Sequence, residues 1–194
     1  EGAVLVGGQD VRSIPAAELM EQISFVFQEV HLFKKSIRDN IRAARPNATE
    51  EEILQAAQLA QCGDILEKIP GGLDAVIGAK GVYLSGGEMQ RIALARAILK
   101  DAPIVVLDEA SSFADPENEV KIQKAFEVLM KGKTVLMIAH RLSTVRRMDR
   151  ILVIKKGVVV EEGKHDELIE KGGVYASMWE EYQSAAQWKV GGEE

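Results

Sequence analysis

The sequence is poor in cysteine, proline and aromatic residues. Its 194 residues include one cysteine, five prolines and only 5% aromatic residues. A single cysteine, Cys62, excludes an internal disulfide and any zinc cluster built on several thiolates. We expect Cys62 to be a small buried core residue, in a protein from a reducing compartment.

Long apolar runs and a positive net charge are also missing. No apolar stretch approaches the roughly 18 residues that a bilayer-spanning helix needs, and the acidic start of the chain is not that of a signal peptide. The net charge of −6 and the pI near 5.3 provide no basic field that would attract a polyanion. We therefore expect no nucleic-acid partner, and contact with a membrane only through another protein or a further segment.

The remaining composition is that of an ordinary globular protein. It is 46% hydrophobic and 28% charged, and 194 residues suffice for one substantial core. We predict one domain over residues 1–194, in which residues 36–100 form an inserted helical subdomain and residues 101–194 the C-terminal part.

Short apolar runs alternate with helical periodicities, which favours the α/β class. Strands are predicted at residues 3–6, 23–27, 104–107 and 134–139. The continuous run at 104–107 is typical of a parallel strand covered on both faces. Residues 151–154 and 158–160 flank a turn at 155–157 and predict a hairpin.

Helix signals fill the segments between these runs. Thr49 with Glu52 three residues later has capping-box spacing. The residues predicted to share one buried face of the helix that follows are Ile53, Leu54, Ala57 and Ala60.

Two further helices are predicted nearer the C-terminus. Asp115 and Pro116 supply an N-cap and a first-turn proline for a helix that ends near Gly132. The tail predicts an amphipathic helix that packs on its own core. Its apolar stripe consists of Tyr175, Met178, Trp179 and Tyr182.

The most specific stretch is Leu-Ser-Gly-Gly-Glu-Met-Gln-Arg at residues 84–91, which precedes an alanine-rich helix running to about Leu99. Two glycines let backbone N–H groups approach an anion, Ser85 adds a hydroxyl donor, and a helix N-terminus adds positive potential. This combination is typical of a phosphate site. A Ser-Gly-Gly tripeptide alone would more often be a turn that starts a helix.

The stretch resembles the LSGGQ signature of ABC transporter nucleotide-binding domains, with Glu88 in place of the glutamine. Other family motifs follow in the right order: Gln28 resembles the Q-loop, residues 104–109 resemble Walker B, residues 112–115 the D-loop and His140 the switch histidine. The resemblance covers nearly the whole chain. It implies a P-loop NTPase-like ABC ATPase core with a parallel sheet, a small antiparallel β region and the inserted helical subdomain.

The resemblance also implies roles for individual residues. Asp108 and Gln28 would hold Mg²⁺, Glu109 would polarise the attacking water, and His140 would contact the γ-phosphate. The ATP-binding positions that it implies are Gln28, Ser85, Gly86, Gly87, Glu88 and Asp115. Without the resemblance, two adjacent carboxylates after a strand are more often a solvated turn, and a lone histidine at a strand end is more often a hydrogen-bonded structural residue.

In this family the signature acts on ATP held by the opposite subunit. The resemblance therefore implies a head-to-tail dimer with a second ABC ATPase domain, and transmembrane domains as further partners. It implies ATP and Mg²⁺ as cofactors, and ATP hydrolysis coupled to transport at the cytoplasmic face of the cell membrane.

Residues 31–41 and 140–145 resemble exporter-type domains, which are fused behind six membrane helices. Residues 113–119 and the tail from Met178 to Trp188 resemble bacterial iron–siderophore transporters of exporter-like architecture. The resemblance suggests siderophore-bound iron or a xenobiotic as the transported substrate.

One family element is missing from the sequence. The phosphate loop G-x-x-x-x-G-K-[ST] should lie just before a strand such as 3–6, and the chain starts there. Gly132-Lys133-Thr134 is a false match, because Glu127 occupies the earlier glycine position and the segment leads into a strand. We expect a truncated chain that binds ATP poorly, because losing the loop's phosphate contacts costs about 5 kcal/mol, more than a thousandfold in affinity.

Two alternatives remain open at this stage. A degenerate module would bind nucleotide only as part of a structural dimer. A soluble ABC ATPase acting in translation or DNA repair would carry a second signature, a coiled-coil insertion or a basic surface, and the sequence has none of these.

Overall fold

The computed structural model describes residues 2–78, 81–108, 116–139 and 142–190, without the side chains of Pro116 and residues 185–190. The chain divides into two compact units, residues 1–138 and 139–194. None of the described helices combines the length and the apolar character needed to cross a bilayer.

A parallel sheet organises the first unit. Strands β3 (Ile23–Val26), β4 (Ile104–Asp108) and β5 (Thr134–Ile138) lie in that order, with β4 in the middle. Their registers start at the pairs Ile23↔Ile104 and Ile104↔Thr134. The parallel arrangement confirms the α/β class that was predicted.

The predicted strand at residues 3–6 is shorter than expected. Only β1 (Leu5–Val6) pairs, antiparallel to β2 (Gln9–Asp10). Gly7 and Gly8 both have positive φ, 58° and 80°, so they form the tight two-residue connection that glycine permits.

Helices make up most of the rest of the first unit. A short helix, α1 (Ala16–Glu21), precedes β3. The region between β3 and β4 is helical, as predicted, and contains α2 (Ile37–Arg42), α3 (Glu50–Leu59), α4 (Gly63–Lys68) and α5 (Gly86–Lys100). Helix α6 (Pro116–Met130) joins β4 to β5 and matches the predicted helix.

The start of α3 confirms the capping box. The Thr49 hydroxyl accepts from the Glu52 N–H, and the Glu52 carboxylate accepts from the Thr49 N–H. The predicted buried face was wrong at Leu54, which is 42% exposed. Helical spacing from Ile53 places Ala56 on the buried face instead, because i, i+3, i+4 and i+7 define that face.

One hydrophobic core connects the sheet with the helices of the first unit. Val105 and Leu107 of β4 are buried in it, together with the α6 residues Ile122, Phe126 and Leu129. Burying side chains of this size stabilises the fold by about 1.5–3 kcal/mol each. The sequence predicted that β4 is buried on both faces. The structure buries only one face fully, because Ile104 and Val106 on the other face are half-buried.

Cys62 belongs to this core, as expected. Its side chain is fully buried, and burial raises the pKa of its thiol to about 12. A thiol with this pKa stays protonated at neutral pH and behaves as a small hydrophobic group.

Polar side chains also cross this interior. The Arg91 guanidinium on α5 is 1% exposed and forms a bidentate ion pair with Asp64 on α4, at 2.6 and 3.2 Å. It also donates to the Gln61 carbonyl and to the Asn118 side chain on α6. Lys121 on α6 donates to the same Asp64 carboxylate at 2.9 Å, so one charged cluster links α4, α5 and α6.

The Gly-Lys-Thr match at residues 132–134 is confirmed as false. Gly132 has a φ of 72° in the connection after α6, and Thr134 begins β5 rather than a helix. Lys133 is paired with Asp101 at 2.8 Å, so its ammonium is engaged in the folded chain.

The second unit contains a hairpin and three helices. Strands β6 (Ile151–Lys155) and β7 (Val158–Gly163) pair antiparallel around Lys156 and Gly157, whose φ values of 52° and 79° suit a tight turn. The helices are α7 (Leu142–Val145), α8 (His165–Glu170) and α9 (Val174–Val190).

The tail helix α9 packs on the core of its own unit. Tyr175 is buried there, and the Glu161 carboxylate accepts from the N–H groups of Val174 and Tyr175 at 2.6 and 2.9 Å. These bonds lower the pKa of Glu161. The predicted amphipathic helix is confirmed, although Met178 of the predicted stripe is exposed.

We predict that Asp64→Asn destabilises the first unit by about 2–3 kcal/mol, because Arg91 stays buried without its counter-charge. This loss is smaller than the loss expected for a fully buried ion pair, because the Asp64 side chain is half-exposed. Burial acts to raise the pKa of Asp64, but hydrogen bonds from Arg91 and Lys121 outweigh it and lower the pKa to about 2. The pair's stabilisation is therefore present above the ordinary pKa of 3.8 and lost as the pH falls towards 2. Urea unfolding followed by circular dichroism measures both effects.

Asp74→Asn is the matched control. Asp74 is highly exposed, and its partner Arg38 also pairs with Glu50, so this change should cost far less. Equal losses in the two variants would contradict the assigned importance of the buried cluster.

Candidate phosphate site

The first turn of α5 begins with a reciprocal pair of hydrogen bonds. Ser85 is the N-cap, and its hydroxyl oxygen accepts from the Glu88 N–H at 3.3 Å. The Glu88 carboxylate accepts in return from the Ser85 N–H at 2.7 Å. The Ser-x-x-Glu spacing is that of a capping box, and it fixes the direction in which α5 starts.

This capping box leaves two backbone donors available. A helix start has four N–H groups without intrahelical acceptors, and here the box satisfies those of Ser85 and Glu88. No group in the described part of the chain accepts from the N–H groups of Gly86 and Gly87. Because the Ser85 oxygen already accepts from Glu88, its O–H can donate outward. Ser85 and Gly86 are exposed and Gly87 is buried, so the helix start presents the Ser85 hydroxyl and the Gly86 N–H to an anion, with the Gly87 N–H next to them in the same turn.

Packing also favours glycine at position 87. A Cβ atom at this position would lie 3.0 Å from Cβ and Cγ of Asn118 on α6. Asn118 is in turn bonded to the buried Arg91 at 2.9 Å. The start of α5 is therefore held closely against the first turn of α6.

Glu88 is charged although it is buried. Its burial acts to raise the pKa, but hydrogen bonds from the Ser85 N–H and from Lys68 outweigh that effect and hold the pKa below its usual value. The Lys68 ammonium lies 3.1 Å from the carboxylate. Because Glu88 stands where the LSGGQ signature has glutamine, the site carries a negative charge at a position that would otherwise be neutral.

Gln28 and Asp108 lie at one edge of the parallel sheet. Asp108 is the last residue of β4, and Gln28 follows the end of β3 by two residues. The register pairs Val26 with Leu107, so both side chains belong to the carboxyl edge, where open α/β sheets bind ligands.

Three predicted site residues, Glu109, Asp115 and His140, lie outside the described residues. Glu109 directly follows Asp108 in the sequence, and His140 comes two residues after the end of β5. Their roles remain predictions.

The start of α5 lies at the same end of the unit as this sheet edge. The Lys100 ammonium, at the other end of α5, donates to the carbonyls of Met20 and Ile23, just before and at the start of β3. Helix α5 therefore runs opposite to the strands. No hydrogen bond or ion pair between described residues joins Ser85 to Gln28 or Asp108. The two groups form separate clusters at one end.

The oxygen ligands at the sheet edge fit Mg²⁺. Asp108 supplies a carboxylate and Gln28 an amide oxygen, both of the hard type that Mg²⁺ prefers. Among the residues that the structure describes, no group of three or more His, Cys, Asp or Glu side chains could enclose a metal.

A groove of ≈ 520 Å³ lies beside Gln28. Phe27 and Glu29, on either side of Gln28 in the sequence, line it together with Phe33 and Arg96. Arg96 lies over the Phe33 ring at 5.4 Å.

Sequence reasoning identified the signature residues and missed the side chains that support them. Lys68, Asp64 and Asn118 were not singled out. The Ser-x-x-Glu spacing at 85–88 could have revealed the capping box. No local pattern could have revealed Lys68, because its partner lies 20 residues away.

Comparison with known proteins gives consistent matches. The sequence profile described as ABC transporter matches residues 1–112. The chain is 48% identical to the ATP-dependent lipid A-core flippase of Escherichia coli (strain K12), over 92% of this chain and 31% of the flippase. It is 47% identical to an uncharacterized ABC transporter ATP-binding protein of Haemophilus influenzae, over 92% of this chain and 30% of that protein.

The fold matches as well. The solved structure of a bacterial Atm1-family ABC exporter with ATP bound superimposes with a TM-score of 0.85 and 37% identity, over 93% of this chain and 32% of the exporter chain. The chain thus spans about a third of the length of these relatives. Since the family profile covers more than half of it, the chain belongs to the ABC transporter family.

Proposed function

We propose that this chain is the ATP-binding and ATP-hydrolysing part of a membrane transporter. The observation that carries the proposal is the start of α5, where the capping box leaves the N–H groups of Gly86 and Gly87 and the Ser85 hydroxyl for an anion. The γ-phosphate of ATP fits these donors in charge and in number of acceptor oxygens. The family of the chain supports nucleotide as the source of that phosphate.

The proposed working unit is a head-to-tail dimer with a second ABC ATPase domain. The signature donors and the sheet-edge ligands form two unconnected clusters at one end of the first unit. In a head-to-tail pair, the signature of one domain would face the sheet edge of the other. Each ATP would then lie between the two domains, and one domain alone would not complete a site.

The proposed reaction transfers the γ-phosphoryl group of ATP to water and produces ADP and phosphate. Asp108 and Gln28 would hold the magnesium that accompanies ATP, which offsets the charge on the phosphates. Glu109 would orient the attacking water, and His140 would donate to the γ-phosphate. The two N–H groups and Ser85 of the opposite domain would stabilise the charge that spreads over the transferred oxygens.

The proposed location is the cytoplasmic face of a membrane, attached to transmembrane domains. Relatives named as an exporter and a flippase support this proposal. The groove lies beside Gln28, which we propose as an ATP ligand, and its largely apolar lining supports a role of this region in passing the nucleotide state to a partner. The siderophore or xenobiotic substrate suggested by the sequence remains a prediction.

The first test is magnesium-dependent ATP hydrolysis by the native protein that carries this chain. Glu109→Gln should lower kcat at least about a hundredfold with little change in the KM for ATP, because it removes the carboxylate that orients the water and leaves the phosphate donors in place. Glu119→Gln, a change of the same type in α6, serves as the control for altered charge. If folded, dimeric wild-type protein hydrolyses no ATP, this result contradicts the proposal and favours a degenerate nucleotide-binding module.

The second test separates phosphate binding from helix capping at Ser85. Ser85→Asp keeps an N-cap acceptor but adds a negative charge, so the melting temperature should stay close to wild type while the KM for ATP rises about tenfold or more. Ser85→Ala removes the cap and the hydroxyl, and should lower stability by about 1 kcal/mol as well. Unchanged ATP kinetics in a folded Ser85→Asp variant would contradict a phosphate site at this helix start.

A further inference from the structure

A lysine from the helical region lies against the start of α5. Lys68 is the last residue of α4, and its ammonium is 3.1 Å from one carboxylate oxygen of Glu88. The other carboxylate oxygen accepts from the Ser85 N–H at 2.7 Å. A single carboxylate therefore connects this lysine to the N-cap of the proposed phosphate site.

Glu88 creates an electrostatic difficulty at that site. Its carboxylate is buried and ionised at the helix end that should attract a phosphate. A negative charge in the first turn favours the helix itself, but it repels a second anion bound at the same end. Glutamine could make the same bond to the Ser85 N–H without the charge.

The Lys68 ammonium offsets the negative charge of the Glu88 carboxylate by direct contact. Its side chain is 71% exposed, whereas that of Glu88 is 11% exposed. An ion pair with one exposed partner contributes little to folding. The positive charge nevertheless acts on the field at the start of α5, because the ammonium lies 3.1 Å from the Glu88 carboxylate in the first turn of that helix.

We propose that Lys68 is a positioning residue of the phosphate site: it holds the Glu88 carboxylate on the Ser85 N–H and neutralises it, so that the start of α5 still accepts an ATP phosphate. The proposal rests on the function proposed above. It makes Glu88 of the signature and Lys68 one functional pair, in which the two charges have opposite effects on ATP binding.

The opposite signs separate this role from a structural one. If the pair only stabilised the fold, removing either partner would weaken the protein in the same direction. In the charge-balancing role, loss of Lys68 leaves an uncompensated carboxylate and weakens ATP binding. Loss of the Glu88 charge leaves a free ammonium and strengthens it.

The experiment is a double-mutant cycle in the native protein, with Lys68→Met, Glu88→Gln and the double variant. Steady-state ATP hydrolysis is measured at about 50 mM and about 500 mM salt, together with the melting temperature of each protein. Lys68→Met should raise the KM for ATP about threefold and Glu88→Gln should lower it about twofold, with kcat nearly constant. The double variant should return to the wild-type KM, and the differences should shrink at high salt.

Lys131→Met is the matched control. Lys131 is exposed and follows α6, three residues before β5 begins, so it lies at the opposite end of the sheet from Gln28 and Asp108. Lys131→Met removes one positive charge, as Lys68→Met does, and should leave the KM for ATP unchanged. A rise in KM equal to that of Lys68→Met would overturn the proposal, because it would show an effect of net charge alone.

The remaining outcomes distinguish the two proposals. If wild-type protein hydrolyses ATP and Glu109→Gln abolishes it, but both single variants of the pair shift the KM in the same direction or not at all, the role of Lys68 is overturned and the ATPase function stands. If wild-type protein shows no hydrolysis, the proposed function fails and the role of Lys68 fails with it.

Discussion

A buried guanidinium on α5 constrains the arrangement of the first unit. Arg91 is 1% exposed, and a charge at that depth must be paired and hydrogen-bonded, because its desolvation otherwise costs several kcal/mol. Its partners come from three places: Asp64 on α4, the Gln61 carbonyl just before α4, and Asn118 on α6. The helical region between β3 and β4 and the helix after β4 are therefore held to the same side chain.

The geometry of the proposed phosphate site depends on the contacts of the buried Arg91 guanidinium. Arg91 lies one turn after Glu88, so pairing the guanidinium also places the first turn of α5. Gly87 then lies close to Asn118, where a Cβ atom would be in tight contact at 3.0 Å. The two N–H groups offered to a phosphate are held by packing on one side and by the capping box on the other. Such preorganised donors stabilise charge without rearranging during the reaction.

Much of this could be predicted from the sequence. The parallel sheet, the helical region between its strands, the hairpin and the tail helix all follow from apolar periodicity and turn residues. The errors were local: Leu54 was placed on the buried face of α3, and the strand at 3–6 was too long. The signature, Gln28 and Asp108 could be named as candidates because order and spacing along a chain are properties of the sequence, and their roles stay predictions.

The sequence by itself determined which residues are candidates for binding a phosphate, because a serine and two glycines before a helix specify donors through local backbone geometry. Only the tertiary structure decided what surrounds them. Lys68 reaches Glu88 across 20 residues, and Asp64 reaches Arg91 across 27. These pairings depend on how α4 and α6 pack against α5. No periodicity encodes them, because burial, close contact and charge pairing arise only when distant segments meet.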